Sequence, residues 1–527
     1  MDLLATPALR TEVLVVGAGA VGAILALELA HHNVACIVVE RAVTGPRHPG
    51  LDFLAGRSME LLRRLGLTEL IREHGVSPDH PTGLEWSQGL DDPPILVSPG
   101  GPAGVESDDG GGPAESHQLV SGAQLAKQLR DAVRRHPLVD LREGWTFTGM
   151  RVEPDGAVAE LVEVGSGDRH FVEARHVAGC DGAHSTVRRC LEVPMEQLAA
   201  PARHCSVYFR NEDLTRRFAR RGLSTVIVGG VALVARGDHD TWVGHLGLAP
   251  DEPITTDPVA MLRAMLGVRL DATEVLGVTQ WDDSLAVATT YQRGPAYLVG
   301  EAAHRFHPVT DSADISIGDA IDLGWKLAAV INGWGGPGLL ASYELERRPR
   351  ALIDREMLAR SLETRRRFSR LAKAGATREL LAEVLQQEPH LLGTAGVQVG
   401  DRLASSVIWA DDRPQWPGPD EAPPTIAPGG RPPAVRLADG SQLFDRLGLE
   451  LTLVDLTDDD AGRPLVDAAR ERGIPMAHLV TTDPAVRARW DHPLVLVRPD
   501  QHVAWRSGAA PDDWDTVLDL VTGRKTT

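Results

Sequence analysis

The part of the sequence that most constrains the fold is residues 11–41, TEVLVVGAGAVGAILALELAHHNVACIVVER. The apolar run 13–16 is typical of a buried strand in a parallel sheet. A glycine-rich turn follows, then a helical pattern from Ala23 to His31 and a second apolar run that ends on Glu40. This order of strand, glycine turn, helix, strand and acid is the dinucleotide-binding fingerprint in its required context.

The glycines of this turn each have a physical role. Gly17 permits the tight turn, Gly19 lets the backbone approach a pyrophosphate, and Gly22 lets the helix pack closely on the strand. Glu40 follows at about the spacing, roughly 20 residues, at which a carboxylate accepts hydrogen bonds from a ribose. A membrane span is the competing interpretation, but Glu28 interrupts the apolar run and glycines cluster at its start.

Length, charge and cysteine content narrow the class of protein. A chain of 527 residues is too long for one hydrophobic core, so roughly two to four domains are expected. The net charge of -19 argues against nucleic acid or an anionic membrane as a partner. The four cysteines form no CxxC and no metal-ligand spacing, and no signal peptide is evident. We therefore expect a cytoplasmic protein without a metal site, whose cysteines at 36 and 180 are small core residues.

The order of predicted elements continues the α/β pattern. A strand again runs into a glycine turn at residues 177–182, and another apolar strand at 296–300 precedes a long helix. Between them, residues 203–290 alternate strand-like runs, which predicts a mostly antiparallel sheet. The basic runs 216–221 and 365–367 are interpreted as solvated helix faces. A Pro-rich linker at 414–433 precedes a small α/β unit, in which apolar runs predict strands at 451–455 and 494–497.

Three separated motifs agree with one known family. They are the glycine turn with Glu40, the segment GCDGAHS at 179–185, and GEAAH at 300–304 followed by GDAIDLGWKL. With the tail LVRPDQHVAWR, they make the chain similar to FAD-dependent aromatic hydroxylases, the phenol-hydroxylase-like and polyketide-hydroxylase-like single-component flavoprotein monooxygenases. The likeness covers nearly the whole chain.

The resemblance implies an α/β fold with a definite domain order. A Rossmann-like FAD-binding domain with a helical extension would occupy 1–190 and 291–395, with an inserted, mainly antiparallel β substrate domain at 191–290. A linker at 396–433 would lead to a C-terminal thioredoxin-like domain at 434–527. That domain has no CxxC, so we expect a packing or dimerisation module, and a homodimer stays open.

The resemblance also implies FAD as the cofactor, with NAD(P)H as a transient reductant because only one GxGxxG is present. Backbone N–H groups of the first helical turn would bind the pyrophosphate, Glu40 the adenosine ribose and Arg57 the region of the phosphates. Asp181 would touch both FAD and the route of NADPH, and Glu301 stands where the family usually has Asp on the ribityl chain. The implied cofactor-binding residues are Gly17, Gly19, Ala20, Val21, Gly22, Glu40, Arg41, Arg57, Asp181 and Glu301.

Two departures from the family pattern concern the flavin ring. Where the family has a glycine-rich loop, this chain reads PVTDSADISIG at 308–318, with Asp311 and Asp314. Acids at that edge would oppose an anionic reduced flavin, and the added side chains would crowd the ring. The second departure is Gly122, where relatives often carry a flavin-contacting Gln.

Two enzymatic hypotheses therefore stay open, and the first is favoured. NAD(P)H would reduce FAD, and O₂ would then supply the oxygen atom that hydroxylates an aromatic or polyketide-type small molecule, as in antibiotic biosynthesis. In the alternative, a non-redox cyclase of the [4+2] type would retain FAD as a structural element and act through proximity. A binding protein is a third, weaker hypothesis. The sequence identifies no catalytic residue, and His304 and His307 are interpreted as flavin-site or surface histidines.

Overall fold

The structure, a computed structural model, describes residues 9–44, 51–77, 83–98, 112–219, 223–236, 240–248, 257–267, 270–271, 273–306, 312–387, 402–410, 426–509, 511 and 513–524. Its strands are β1 Leu9–Val16, β2 Cys36–Glu40, β3 Leu51–Leu54, β4 Gly83–Ser87, β5 Leu96–Ser98, β6 Gln118–Ser121, β7 Val139–Glu143, β8 Trp145–Glu153, β9 Gly156–Glu163, β10 Arg169–Gly179, β11 Met195–Gln197, β12 Arg203–Arg210, β13 Leu223–Val228, β14 Val231–Ala235, β15 Thr241–Leu248, β16 Glu274–Asp282, β17 Ala286–Ala288, β18 Gln292–Arg293, β19 Ala296–Leu298, β20 His304–Arg305, β21 Leu451–Asp455, β22 Met476–Val480, β23 Leu494–Val497 and β24 Val503–Ser507.

The helices are α1 Ala20–His31, α2 Gly56–Arg64, α3 Thr68–His74, α4 Gly122–Arg135, α5 Thr186–Cys190, α6 Glu212–Ala219, α7 Pro258–Leu266, α8 Ser312–Ile331, α9 Pro337–Lys373, α10 Arg378–Gln386, α11 Arg463–Glu471, α12 Pro484–Arg489 and α13 Trp514–Val521. Short 3-10 helices lie at Gly300–Ala302 and Leu443–Arg446. Across the described ranges, no helix combines the length and apolar character needed to cross a membrane.

The largest sheet carries the predicted dinucleotide-binding unit. Its strand order is β18-β19-β10-β1-β2-β7, with β9 on β10 and β8 on β9. The pairs β19–β10, β10–β1, β1–β2 and β2–β7 are parallel, so the carboxyl ends of these strands share one edge. Helix α1 begins at Ala20, earlier than the apolar pattern indicated, because Gly19 already stands at its N-cap. The strand–turn–helix–strand prediction is confirmed.

The glycine turn has the geometry that its spacing predicts. Gly17 has φ +102°, a left-handed conformation that L side chains rarely adopt. A Cβ on Gly22 would lie 1.9 Å from the carbonyl oxygen of Gly17, so only glycine lets α1 approach the turn. Cys36 and Cys180 are both buried in the apolar core beside this unit, as expected.

A second sheet has seven strands in the order β16-β12-β15-β14-β13-β4-β5. It is antiparallel except for the parallel pair β13–β4, which agrees with a mainly antiparallel β domain. It also recruits β4 and β5, which precede the segment 191–290 in the sequence. Trp86 of β4 is fully buried against Phe368 of α9, and this long-range contact has no local signal in the sequence.

The C-terminal part forms a four-stranded mixed sheet in the order β22-β21-β23-β24 with α11, α12 and α13, the thioredoxin-like arrangement that was expected. Its core is continuous with α8, because Trp325 of that helix packs in one cluster with Leu453 and Trp505. Arg498 of the tail motif donates to Asp322 of α8 at 2.9 Å and to Glu346 of α9 at 2.9 Å. The C-terminal unit is therefore packed directly on the helices of the FAD-binding half.

A second buried contact between these parts involves His32, at the end of α1. Its Nε2 lies 3.0 Å from Glu28 and its Nδ1 lies 3.0 Å from Glu450 of the C-terminal unit. Burial alone lowers the pKa of His32, but hydrogen bonds with the two carboxylates outweigh it and raise the pKa to about 9. His32 is therefore a cation that joins the two parts of the chain at neutral pH.

This contact predicts a pH-dependent stability difference between the wild type and His32→Gln. Because the folded pKa of about 9 exceeds the ordinary value of 6.5, the stabilisation is fully present below pH 6.5 and is lost as the pH rises through about 9. The difference in free energy of unfolding should reach at most about 3 kcal/mol. Urea unfolding from pH 6 to pH 10 measures it, with exposed His184→Gln as the control. A difference that is constant with pH would contradict the ion-pair assignment.

Candidate cofactor-binding and active site

Most of the predicted cofactor-binding residues come together at one edge of the large sheet. Gly17 and Gly19 follow β1, Glu40 ends β2, Asp181 follows β10 and Glu301 follows β19. These four strands are parallel neighbours, so all five residues lie at or just after their carboxyl ends. Strand β1 has β2 on one side and β10 on the other, which is a topological switch point, where open α/β sheets bind ligands.

The turn between β1 and α1 can receive an anion. No side chain caps the N-terminus of α1, and its first turn contains no acidic residue. Ala20 and Val21 in this turn are partly exposed, and the space next to the Cα of Gly19 is open. The free N–H groups and the helix dipole at this end favour a phosphate group.

Glu40 braces this turn and the one after β2. Its Oε2 accepts a hydrogen bond from the backbone N–H of Ala18 at 2.8 Å, and its Oε1 accepts from Ala42 at 2.9 Å. Arg41 beside it is exposed. Arg130 of α4 lies 3.8 Å from Glu40 and donates to the carbonyl oxygens of Ala18 and Ala42 at 3.3 Å. The sequence did not identify Arg130, because nothing around it distinguishes this buried arginine of α4 from exposed arginines of the same helix.

The turns after β10 and β19 meet the glycine turn. Oδ2 of Asp181 accepts from the backbone N–H groups of Thr186 at 2.6 Å and Val187 at 3.1 Å. Its Oδ1 is buried and has no hydrogen-bond partner among the described residues. Glu301 is exposed beside Gly182, and a Cβ on Gly300 would lie 3.2 Å from Val21. The unsatisfied oxygen and the open space at Gly19 both fit a polar cofactor such as FAD.

A buried charge network fixes the turn that carries Glu301. Oδ2 of Asp319 accepts from the backbone N–H of Gly300 at 3.1 Å and lies 3.0 Å from Nε2 of His304. Oδ1 accepts from Nε of Arg347 at 2.8 Å. Of the two interpretations of His304, the structure excludes a surface residue, because the side chain is buried against this carboxylate, and a histidine of the flavin site stays a prediction. Asp319 belongs to the GDAIDLGWKL motif, although the sequence gave it no role.

The hydrogen bonds of Arg57 go to residues outside this group. Its guanidinium donates to Oε1 of Gln501 at 2.6 Å, to the carbonyl oxygen of Asp500 at 2.7 Å and to Glu60 at 3.2 Å. None of these partners belongs to the strand ends described above. The contact of Arg57 with the cofactor phosphates stays a prediction.

The altered flavin-ring segment is described only in part. His307, Pro308 and Asp311 lie outside the described residues. Asp314 lies in the first turn of α8, and its Oδ1 accepts a hydrogen bond from the backbone N–H of Ala55 at 3.0 Å. This acid is thus engaged in joining α8 to the start of α2. Gly122 is the first residue of α4.

One group outside this edge resembles a metal site. Ligand atoms of Asp455, Asp460 and His478 in the C-terminal unit lie within 4.8 Å of one another. The carboxylate of Asp455, however, already accepts from the N–H groups of Thr457 at 2.9 Å and Gly462 at 2.7 Å, and contacts His478 at 3.2 Å. We interpret the group as an internal hydrogen-bond cluster that closes the loop after β21.

Comparison with known proteins identifies the family. The FAD binding domain family matches residues 10–354, and the family of aromatic-ring hydroxylase C-terminal domains matches residues 425–524. The FAD-dependent monooxygenase apdD of Emericella nidulans is 30% identical over 97% of this chain and 90% of its own. The tetracenomycin B2 monooxygenase-dioxygenase of Streptomyces olivaceus is 31% identical over 98% of each chain.

A solved structure agrees over the same length. RebC with bound 7-carboxy-K252c superposes with a TM-score of 0.88 at 28% identity, covering 98% of this chain and 100% of RebC. The rebeccamycin biosynthetic enzyme RebC with reduced flavin gives a TM-score of 0.87 at 27% identity, with the same coverage. The chain therefore belongs to the FAD-dependent aromatic-ring hydroxylase family of flavoprotein monooxygenases, and its cofactor is FAD.

Proposed function

We propose that this monooxygenase uses NAD(P)H and O₂ to hydroxylate an aromatic or polyketide-type small molecule. The observation that carries the proposal is the meeting of three strand-end turns, after β1, β10 and β19, whose free polar groups fit FAD. The match to the aromatic-ring hydroxylase C-terminal family supports an aromatic substrate. The solved complex of RebC with 7-carboxy-K252c supports a small-molecule ligand for a protein of this fold.

The residues of the chain have distinct roles in this proposal. Bound FAD supplies the redox and oxygen-transfer chemistry, while the protein binds, orients and excludes water. The N–H groups at the start of α1 would hold the pyrophosphate, and Glu40 would accept from the adenosine ribose with the lone pairs that its backbone partners leave free. Asp181 would bind the remainder of the cofactor through its unsatisfied oxygen, and Glu301 would bind it through its exposed carboxylate. Asp319 would keep the turn of Glu301 in position.

The domain division and the assembly state are also parts of the proposal. We propose that the seven-stranded sheet, with β4 and β5 added to the expected segment 191–290, is the substrate-binding unit. The bounds of the FAD-binding segments at 1–190 and 291–395, of the linker at 396–433 and of the C-terminal domain at 434–527 stay predictions. A homodimer and a cytoplasmic location likewise stay predictions.

Anaerobic mixing of the FAD-loaded protein with NADPH, in the presence of candidate aromatic substrates, tests the function. The flavin absorbance band should bleach, because a hydroxylase requires its flavin to accept a hydride. Admission of O₂ should then restore the band and yield a product heavier by one oxygen atom, detected by mass spectrometry.

A band that persists with NADH, NADPH and every substrate would overturn the monooxygenase proposal. That outcome would favour the non-redox cyclase with structural FAD, which no feature of the described residues now singles out. The segment that favoured the cyclase has Asp311 outside the described residues and Asp314 engaged with Ala55. Absence of any flavin band after reconstitution would contradict the assignment of the glycine turn.

The role of Glu40 can be tested without turnover. Glu40→Ala removes two acceptors that brace the turn and the proposed ribose contact, so FAD should bind about tenfold to hundredfold more weakly. Flavin retained per protein after gel filtration, and a titration of the apoprotein with FAD, measure the loss. Glu12→Ala is the control, since Glu12 is exposed in the middle of β1 and away from the glycine turn. Equal flavin occupancy in the two variants would refute the role of Glu40.

A further inference from the structure

The basic run 365–367 in α9 is only partly the solvated face that its sequence predicts. Arg367 is exposed and donates to Oε1 of Gln387 at 2.9 Å. Arg366 is 38% exposed and donates to the buried carboxylate of Asp283 at 2.6 Å. Arg365 differs from both, because it is half-buried and its Nε is shielded from solvent.

Arg365 has no counter-charge in the described part of the chain. Its Nε has no hydrogen-bond partner, and neither an ion pair nor a hydrogen bond joins its guanidinium to another described residue. Burial lowers the pKa of Arg365 to about 10, and no neighbouring carboxylate acts to raise it. A cation that is shielded from water and has no counter-charge destabilises the fold. Such a cation is expected where a bound ligand supplies the opposite charge.

The position of Arg365 on α9 shows which surface it faces. Residues three and four apart share a helix face, so Arg365 lies between Leu362 and the pair Phe368 and Ser369. Leu362 belongs to the core of the FAD-binding half. Phe368 packs on Trp86 with ring centroids 5.0 Å apart, and Ser369 donates to the carbonyl oxygen of Gly229 at 3.2 Å. Arg365 therefore faces the seven-stranded sheet where it meets the FAD-binding half.

The face of that sheet on the side of α9 is polar and aromatic over β12, β15 and β16. His204 and Trp281 stack with centroids 4.3 Å apart and an interplanar angle of 9°. Ser206 lies 2.8 Å from Nε1 of Trp281 and 2.8 Å from Nδ1 of His245. Alternate residues of β12 point to the other face, where Cys205 packs in an apolar core.

Two contacts establish that α9 and this polar face lie on the same side. Asp283, which accepts from Arg366 of α9, also lies 3.0 Å from Nε2 of His204. On the neighbouring strand β14, Ala232 is paired with His245 and packs in the cluster that contains Phe368. The stacked rings, the hydroxyl and imidazole groups and the unpaired guanidinium thus border one region between α9 and the sheet.

We propose that this region binds a planar aromatic carboxylate, with Arg365 pairing the carboxylate and the His204–Trp281 stack bordering the ring. A guanidinium matches a carboxylate in a bidentate arrangement, and aromatic side chains favour stacked or edge contacts with a planar substrate. The inference rests on the proposed function, and it specifies the substrate as an acidic aromatic molecule.

Calorimetric titration of the FAD-loaded protein with two matched probes tests the inference. The probes are 6-hydroxy-2-naphthoate and 2-naphthol, which share the ring and hydroxyl group and differ in the carboxylate. The wild type should bind the naphthoate about tenfold to hundredfold more tightly than the naphthol. Arg365→Gln should lose that preference and leave naphthol binding unchanged, and Arg365→Lys should recover part of it. Arg367→Gln, two residues away and exposed, should behave as the wild type.

Equal affinity of the wild type for the two probes, including failure to bind either, would overturn the assignment of Arg365. An equal loss of both probes in Arg365→Gln, with unchanged thermal stability, would also overturn it. Flavin reduction by NADPH is followed in the same preparations, which separates the two proposals. A protein that reduces its flavin but does not distinguish the probes would refute only the carboxylate site. A protein that distinguishes them but never reduces its flavin would refute only the monooxygenase function.

Discussion

The geometry of the sheet edge that is expected to bind FAD depends on one buried charge, the carboxylate of Asp319. Burial raises the pKa of Asp319, but Arg347 and His304 outweigh it and hold the pKa below the ordinary value. Removal of one member of a buried ion pair costs about 3–5 kcal/mol. The pair of Asp319 and Arg347 therefore holds the turn after β19 and helices α8 and α9 together. Gly318 belongs to the same arrangement, because a Cβ there would lie 2.5 Å from the guanidinium of Arg347.

Helix α9 connects this buried charge to the seven-stranded sheet that is proposed to bind the substrate. Its 37 residues span roughly 55 Å, from a first half anchored by Arg347 to a last turn packed on the seven-stranded sheet. The surface expected to hold the flavin and the surface proposed to hold the substrate are thereby connected by one continuous helix. Such pre-organisation is how a flavin enzyme aims its substrate without chemistry of its own.

The parts that the sequence predicted well are those with local causes. Strand alternation, the glycine turn and Glu40 predicted the βαβ unit, and the apolar runs predicted β21 and β23 at their observed bounds. The parts it missed depend on residues distant in the chain. Strands β4 and β5 join the second sheet through the burial of Trp86, and His304 is buried only because Asp319 accepts its hydrogen bond. Arg365 looks like its exposed neighbours until its helix face is known.

The charges that hold the C-terminal unit are divided between the two sides of its contact. Arg498 and Glu450 lie on that unit, whereas Glu346, His32 and Arg57 lie on the FAD-binding half. Each side supplies partners to buried charges of the other, since Arg498 pairs with Glu346 and His32 with Glu450. The C-terminal unit of a relative could therefore replace this one only if these partner residues were replaced with it.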